Sequence, residues 1–215
     1  RGHGPRPQRR GDIDYIDQLE DDLADLIGWI RSRNPNAAFI LGGHSSGGGL
    51  AIRFAGGSYT GTVDGYLLLA PYLGYNASTI RPQLSGWATP KTSRIVALNL
   101  LNALGIRSLN SVKTLEFNLP SRYRTGDETL AYSYRLMTGF NPRNYASDLQ
   151  ALEKTTLVVV GTDDQAFYSD QFRNIFKAFS PQAQVELIPD LTHFGLVVDE
   201  VVPSLVVQWL KRSLL

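Results

Sequence analysis

The period of the apolar positions changes along this chain, and the changes mark out its elements. Over residues 13–31, Ile16, Leu19, Leu23, Ile27 and Ile30 recur at helical spacing and predict an amphipathic helix. Asp12, Asp14 and Asp17 stand at its start and Arg31 and Arg33 at its end, a charge order that suits a helix dipole. Asn34-Pro35-Asn36 stops it. The apolar run Ala37-Ala38-Phe39-Ile40-Leu41 leads into glycines and predicts a buried parallel strand. Small residues over Ser46–Ala55 predict a helix closed by Gly56-Gly57. Residues 64–70, centred on Tyr66-Leu67-Leu68-Leu69, predict the next strand, which Pro71 ends.

Residues 72–150 break this rhythm. Ile95, Val96, Leu100, Leu101 and Leu104 predict one helix ending at Gly105, and Leu130, Tyr134 and Met137 predict another. The rhythm then resumes with a β-branched strand at 156–160. A helix with Tyr168, Phe172, Ile175, Phe176 and Phe179 on one face follows, then a strand at 185–188 and a last helix lined by Val201, Val202, Leu205, Val206 and Trp209. Strands alternating with helices imply an α/β fold whose mostly parallel sheet carries helices on both faces. The expected organisation is a core in two parts, 1–71 and 151–215, with residues 72–150 inserted between them as a cap.

Composition narrows the classes. The 215 residues are 43% hydrophobic, enough for a sizeable core, and the formal net charge is +1. Nothing in that balance calls for nucleic acid, and the short cluster Arg6, Arg9 and Arg10 is expected in a solvated loop. No apolar run approaches the length of a transmembrane helix. The chain has no cysteine, which removes disulfides, thiolate metal sites and a cysteine nucleophile. No metal or organic cofactor is implied.

Gly43-His44-Ser45-Ser46-Gly47 matches G-x-S-x-G between a predicted strand and a predicted helix, the context that motif requires. A sharp strand-to-helix turn lifts the serine hydroxyl above the sheet, and flanking glycines let the backbone pass closely. Ser45 is therefore the expected nucleophile, and the backbone N–H of Ser46, just after it, the expected oxyanion donor. Serine needs a base to take its proton. Of the three histidines, His44 adjoins Ser45 and should diverge from it, and His3 lies in a glycine- and proline-rich loop. His193 sits in a loop after a strand, able to reach the sheet's carboxyl edge, and is the expected base. Asp163 and Asp164 follow the strand at 156–160 and are both candidates for the orienting carboxylate. Asp190 and Asp199 flank His193 and are expected to cap or solvate its loop.

With these residues in place the chain resembles the α/β-hydrolase superfamily, and within it the monoacylglycerol lipase and lysophospholipase-like branch, sometimes grouped with serine aminopeptidases. Arg1-Gly2-His3-Gly4, Arg10-Gly11 and Asp21-Asp22-Leu23 resemble that branch's segment after its fourth strand. Gly43-His44-Ser45-Ser46-Gly47-Gly48 resembles its nucleophile elbow, and Gly161-Thr162-Asp163-Asp164 and Thr192-His193-Phe194-Gly195 resemble its acid and histidine turns. The family pattern makes the last aspartate of the acid turn, Asp164, the acid. The resemblance implies an α/β-hydrolase fold with an inserted cap. It also implies a serine hydrolase acting on a small-molecule or lipid ester through an acyl-enzyme. A serine peptidase, thioesterase or acyltransferase on the same triad, or a silent binding protein on the same fold, are the alternatives.

Family members carry about three or four strands before the Arg-Gly-His-Gly segment, and the loop after the third supplies a second oxyanion N–H. The expectation is that N-terminal strands are missing from this chain. A separate N-terminal segment of the same protein would then complete the sheet beside the 37–42 strand, whose edge would otherwise be open.

Overall fold

The structure, a computed structural model, describes residues 1–81, 86 and 88–213. From the N-terminus the elements are α1 (Gln18–Arg33), β1 (Ile40–His44), α2 (Ser46–Ala55) and β2 (Gly65–Leu69). Then come β3 (Ala88–Pro90), α3 (Thr92–Ala103), β4 (Lys113–Phe117), a 3₁₀ turn at Ser121–Tyr123, β5 (Ala131–Ser133) and α4 (Tyr134–Phe140). The chain closes with α5 (Tyr145–Gln150), β6 (Thr155–Gly161), α6 (Ser169–Phe179), β7 (Gln184–Ile188), α7 (Gly195–Val198) and α8 (Val201–Ser213). Two compact units divide these elements, one of Arg1–Leu19 and Gln83–Phe140, the other of Glu20–Pro82 and Asn141–Leu215.

The larger unit is built on a parallel sheet in the order β1-β2-β6-β7. Leu41 pairs with Tyr66, Leu67 with Leu157 and Val159 with Glu186. The central strand β6 reads as an unbroken apolar run because both its faces are covered; Leu157, Val158, Val159 and Val160 are all fully buried. Phe172, Ile175 and Phe176 of α6 and Val202 and Trp209 of α8 join the same core. Gly48 and Gly49 are buried in α2, and a Cβ on Gly48 would stand 2.7 Å from Pro71, so glycine there lets the helix lie close to the turn after β2. A buried ion cluster links three segments: Glu20 of α1 accepts from Arg53 of α2 (2.7 Å) and from Arg143 ahead of α5 (2.7 Å). Removing Glu20 would leave the buried Arg53 guanidinium without its carboxylate, at a cost of about 3–5 kcal/mol.

The smaller unit holds an antiparallel sheet in the order β3-β4-β5. Its N-terminal segment is tied in by Asp12, whose carboxylate takes two hydrogen bonds from Arg135, at 2.8 and 2.6 Å. Burial works to raise the Asp12 pKa, but the bonds from Arg135 and Ser133 outweigh it and bring the group to about 2.

This pairing corrects the first helix. It starts at Gln18 rather than residue 13, because Asp12 and Asp14 are engaged ahead of it: Asp12 by Arg135, Asp14 by Arg9 and by the Gln18 side chain. Glu20 and Asp21 are the acids of the first turn instead. The predicted helix around Leu130, Tyr134 and Met137 is half strand: β5 occupies 131–133 and α4 begins at Tyr134. Three-residue strands such as β3 and β5 are too short to show an alternating pattern.

Candidate active site

Every residue expected at the site belongs to the larger unit, at the carboxyl ends of its strands. The turn from β1 into α2 carries Ser45 at φ 54° and ψ −118°, left-handed backbone that a non-glycine residue rarely adopts. Such strain costs of order 1–3 kcal/mol and persists only where the surroundings over-determine it. Here they do. The Ser45 N–H donates to the Leu69 carbonyl at 2.9 Å, and the Ser45 carbonyl accepts from Gly49 (3.0 Å) and Tyr72 (2.9 Å). A Cβ on Gly43 would stand 2.2 Å from the Gly47 carbonyl carbon, so only glycine lets the chain fold back this tightly. Although Ser45 sits at the N-cap, its hydroxyl makes no capping bond. Ser46 is the first residue of α2, where a backbone N–H has no intrahelical acceptor.

The other half of the site is a carboxylate–imidazole pair. His193 Nδ1 lies 2.8 Å from Asp164 Oδ2, and both residues are buried, at 3% and 1% exposure. The second oxygen, Oδ1, accepts from the N–H groups of Ala166 (2.7 Å) and Phe167 (2.8 Å). These bonds fix the carboxylate and leave Oδ2 for the ring. The carboxylate accepts, so Nδ1 carries the proton, and in the neutral ring Nε2 is the nitrogen with the lone pair. Of the two aspartates left open by the residues alone, Asp164 is the one paired with His193; Asp163 is exposed, and its carboxylate accepts from the Thr162 hydroxyl. Backbone bonds join the two loops: Thr162 N–H to the Ile188 carbonyl and Asp163 N–H to the Leu191 carbonyl. At Gly161 a Cβ would stand 2.0 Å from the Leu191 oxygen, which is why glycine ends β6. Asp199 accepts from Val201 N–H at the start of α8, and the Asp190 N–H donates to Thr162 Oγ1.

His193 and Ser45 are not themselves hydrogen-bonded; His193 Nε2 is buried without a partner. The imidazole is boxed in by rings, with centroids at 4.5 Å for His44, 5.2 Å for Phe167 and 5.3 Å for Phe194. His44, expected only to pack beside the turn, sends its Nε2 to the His193 backbone carbonyl at 3.0 Å. Burial pushes the His44 pKa down, and the neighbouring His193 adds to the effect. Burial also pushes the Tyr72 phenol up to about 12. No spacing in the sequence announces the aromatic box or the His44 contact, because both arise from loops that meet only in the fold. Among the described residues no group of three or more acidic or histidine side chains could hold a metal ion, and no helix is long and apolar enough to cross a membrane.

The profile of the family described as "Serine aminopeptidase, S33" matches residues 1–197. No curated protein matches the sequence. Among solved structures, the monoacylglycerol lipase of Paleococcus ferrophilus superimposes with a TM-score of 0.64 at 17% identity, over 99% of this chain and 81% of that one. A monoglyceride lipase of Saccharomyces cerevisiae, solved with a substrate analogue, gives 0.65 at 17% identity, over 99% and 75%. A thermophilic esterase from Thermogutta terrifontis gives 0.59 at 21%, over 99% and 78%. At these identities the likeness is one of fold, and it agrees with the α/β-hydrolase architecture expected from the motifs.

Proposed function

The chain belongs to the serine aminopeptidase family of α/β hydrolases, and from that premise we propose that it cleaves carboxylic esters with Ser45 as nucleophile, His193 as general base and Asp164 as the orienting acid. The observation that carries the reading is the buried Asp164–His193 bond, which in the neutral ring leaves Nε2 as a proton acceptor, at the same carboxyl edge of the sheet as a serine whose hydroxyl makes no capping bond.

In this mechanism Ser45 Oγ attacks the carbonyl carbon as His193 Nε2 takes the hydroxyl proton. The imidazolium that forms is stabilised by Asp164, and the tetrahedral oxyanion is met by the Ser46 N–H. Collapse expels the alcohol, which leaves with the proton from His193, and forms an acyl-enzyme. Water activated by the same histidine then releases the acid. In resting hydrolases the serine–histidine bond is commonly long and tightens when substrate arrives, so the unbonded Nε2 fits a site before substrate binds. The strand β1 pairs only with β2 among the described residues. A separate N-terminal segment adding a strand at that edge would supply the second oxyanion donor.

An ester is preferred as substrate because solved structures with this fold include proteins described as monoacylglycerol lipases and an esterase. The family's description favours a second reading, removal of an N-terminal amino acid. Comparing p-nitrophenyl esters of graded chain length with aminoacyl p-nitroanilides separates the two: faster turnover of the anilides would overturn the ester reading. A fluorophosphonate probe tests the nucleophile directly, and labelling that survives Ser45→Ala would refute it.

A further inference from the structure

We propose that His44 is a positioning residue, locking the loop that carries His193 onto the turn that carries Ser45; this rests on the Ser45–His193–Asp164 reading above. His44 ends β1, one peptide bond before Ser45. Its Nε2 lies 3.0 Å from the backbone oxygen of His193. A carbonyl can only accept, so Nε2 carries the proton and Nδ1 does not.

The other hydrogen bonds that place His193 all run to the acid side of the site. Nδ1 bonds Asp164, the backbone N–H reaches Gln165 Oε1 at 3.4 Å, and the preceding Leu191 carbonyl receives Asp163 N–H. Together they join base to acid and leave the distance from base to serine open. Among the described residues, the His44 bond is the one hydrogen bond from His193 to the strand that delivers Ser45. The two rings, 4.5 Å apart at their centroids, lie against each other, so a shift of the His193 loop would have to carry the His44 ring with it. A neutral His44 performs this role without repelling the imidazolium that His193 becomes during the reaction. The groups facing it are His193 and Asp164, with Phe194 against its ring at 5.8 Å.

The test compares His44→Gln with His44→Asn in the full-length protein. The amide nitrogen of glutamine reaches as far from the backbone as imidazole Nε2, whereas that of asparagine stops at the position of Nδ1. Misplacing a reacting group by about 1 Å costs up to roughly 100-fold in rate. His44→Asn is therefore expected to lower kcat by about 10- to 100-fold with little change in KM, and His44→Gln to restore most of it. Equal kcat values for the two variants, whether both fast or both slow, would overturn the proposal. So would a His44→Asn protein that loses its cooperative melting transition while His44→Gln keeps it, since that result assigns His44 to stability alone. Ser45→Ala, assayed alongside, separates the two levels: if it keeps activity, the triad reading itself has failed; if it is inactive while His44→Asn is wild-type in rate, only the positioning role has.

Discussion

The two halves of the site are held by different means. The Asp164–His193 half is made by side chains: a buried carboxylate takes two backbone N–H bonds on one oxygen and an imidazole on the other. The Ser45 half is made by the backbone. Three main-chain hydrogen bonds and the close approach at Gly43 hold the serine in left-handed conformation, and the hydroxyl plays no part in holding it there. Side-chain chemistry can therefore be removed from the serine half at no structural cost, whereas the acid–base half loses structure and chemistry together.

The largest expected effect follows from this difference. Ser45→Gly should abolish ester hydrolysis, by on the order of 10⁶-fold in kcat. It should also stabilise the protein by about 1 kcal/mol, because glycine accepts positive φ freely. For a chain of this size that is a rise of about 2–4 °C in the melting midpoint. A variant that is inactive and no more stable would show that the turn is not strained. Asp164→Asn should lower kcat by about 10⁴-fold, since an amide no longer selects the tautomer with the proton on Nδ1. It should also lower the urea midpoint, where Ser45→Gly raises it.

Gly43→Ala is the converse experiment on the serine half. It leaves every reacting group in place but puts a Cβ 2.2 Å from the Gly47 carbonyl carbon. A loss of about 2–4 kcal/mol in unfolding free energy is expected, with turnover falling as the turn shifts. Unchanged stability would mean that backbone closeness does not define this half.

A weaker effect should appear in the pH dependence of stability. Burial holds His44 below its ordinary value of 6.5, so the unfolded chain binds a proton there more readily than the folded one. The contribution is fully present above pH 6.5 and declines as pH falls through the depressed folded value. Urea midpoints between pH 7 and pH 5 should drop less steeply in His44→Gln than in the wild type. Smallest of all, Asp163→Asn should change kcat less than about twofold, because the side chain is exposed and the carboxylate bonded to the imidazole is that of Asp164. A larger loss would mean that the two aspartates share the role.

The two units differ in how far the sequence discloses them. In the larger unit β2, β6, α6 and β7 stand within a residue or so of their predicted bounds, and α2 is where the small-residue run predicts it. There, local pattern and tertiary environment agree: apolar runs are strands buried on both faces, and periodic faces are helices turned inward. In the smaller unit, the local pattern does not disclose the antiparallel sheet of β3, β4 and β5, because its short strands are defined by partners distant in sequence. The later start of α1 has the same reason: Asp12 looks like a helix-terminal acid, but Arg135, far along the chain, claims it.

For the proposed site, the local sequence determined which side chains are the candidates: those of the Gly-x-Ser-x-Gly turn, one histidine placed by elimination, and a pair of adjacent aspartates. The resemblance favours Asp164 over Asp163, and the fold bonds that residue to His193; joining His44 to the His193 carbonyl and walling the imidazole with Phe167 and Phe194 were decided by the tertiary structure alone. The physical reason is range. Turn geometry and strand periodicity are set by neighbours along the chain, whereas a hydrogen bond between loops is set by where the sheet carries their ends.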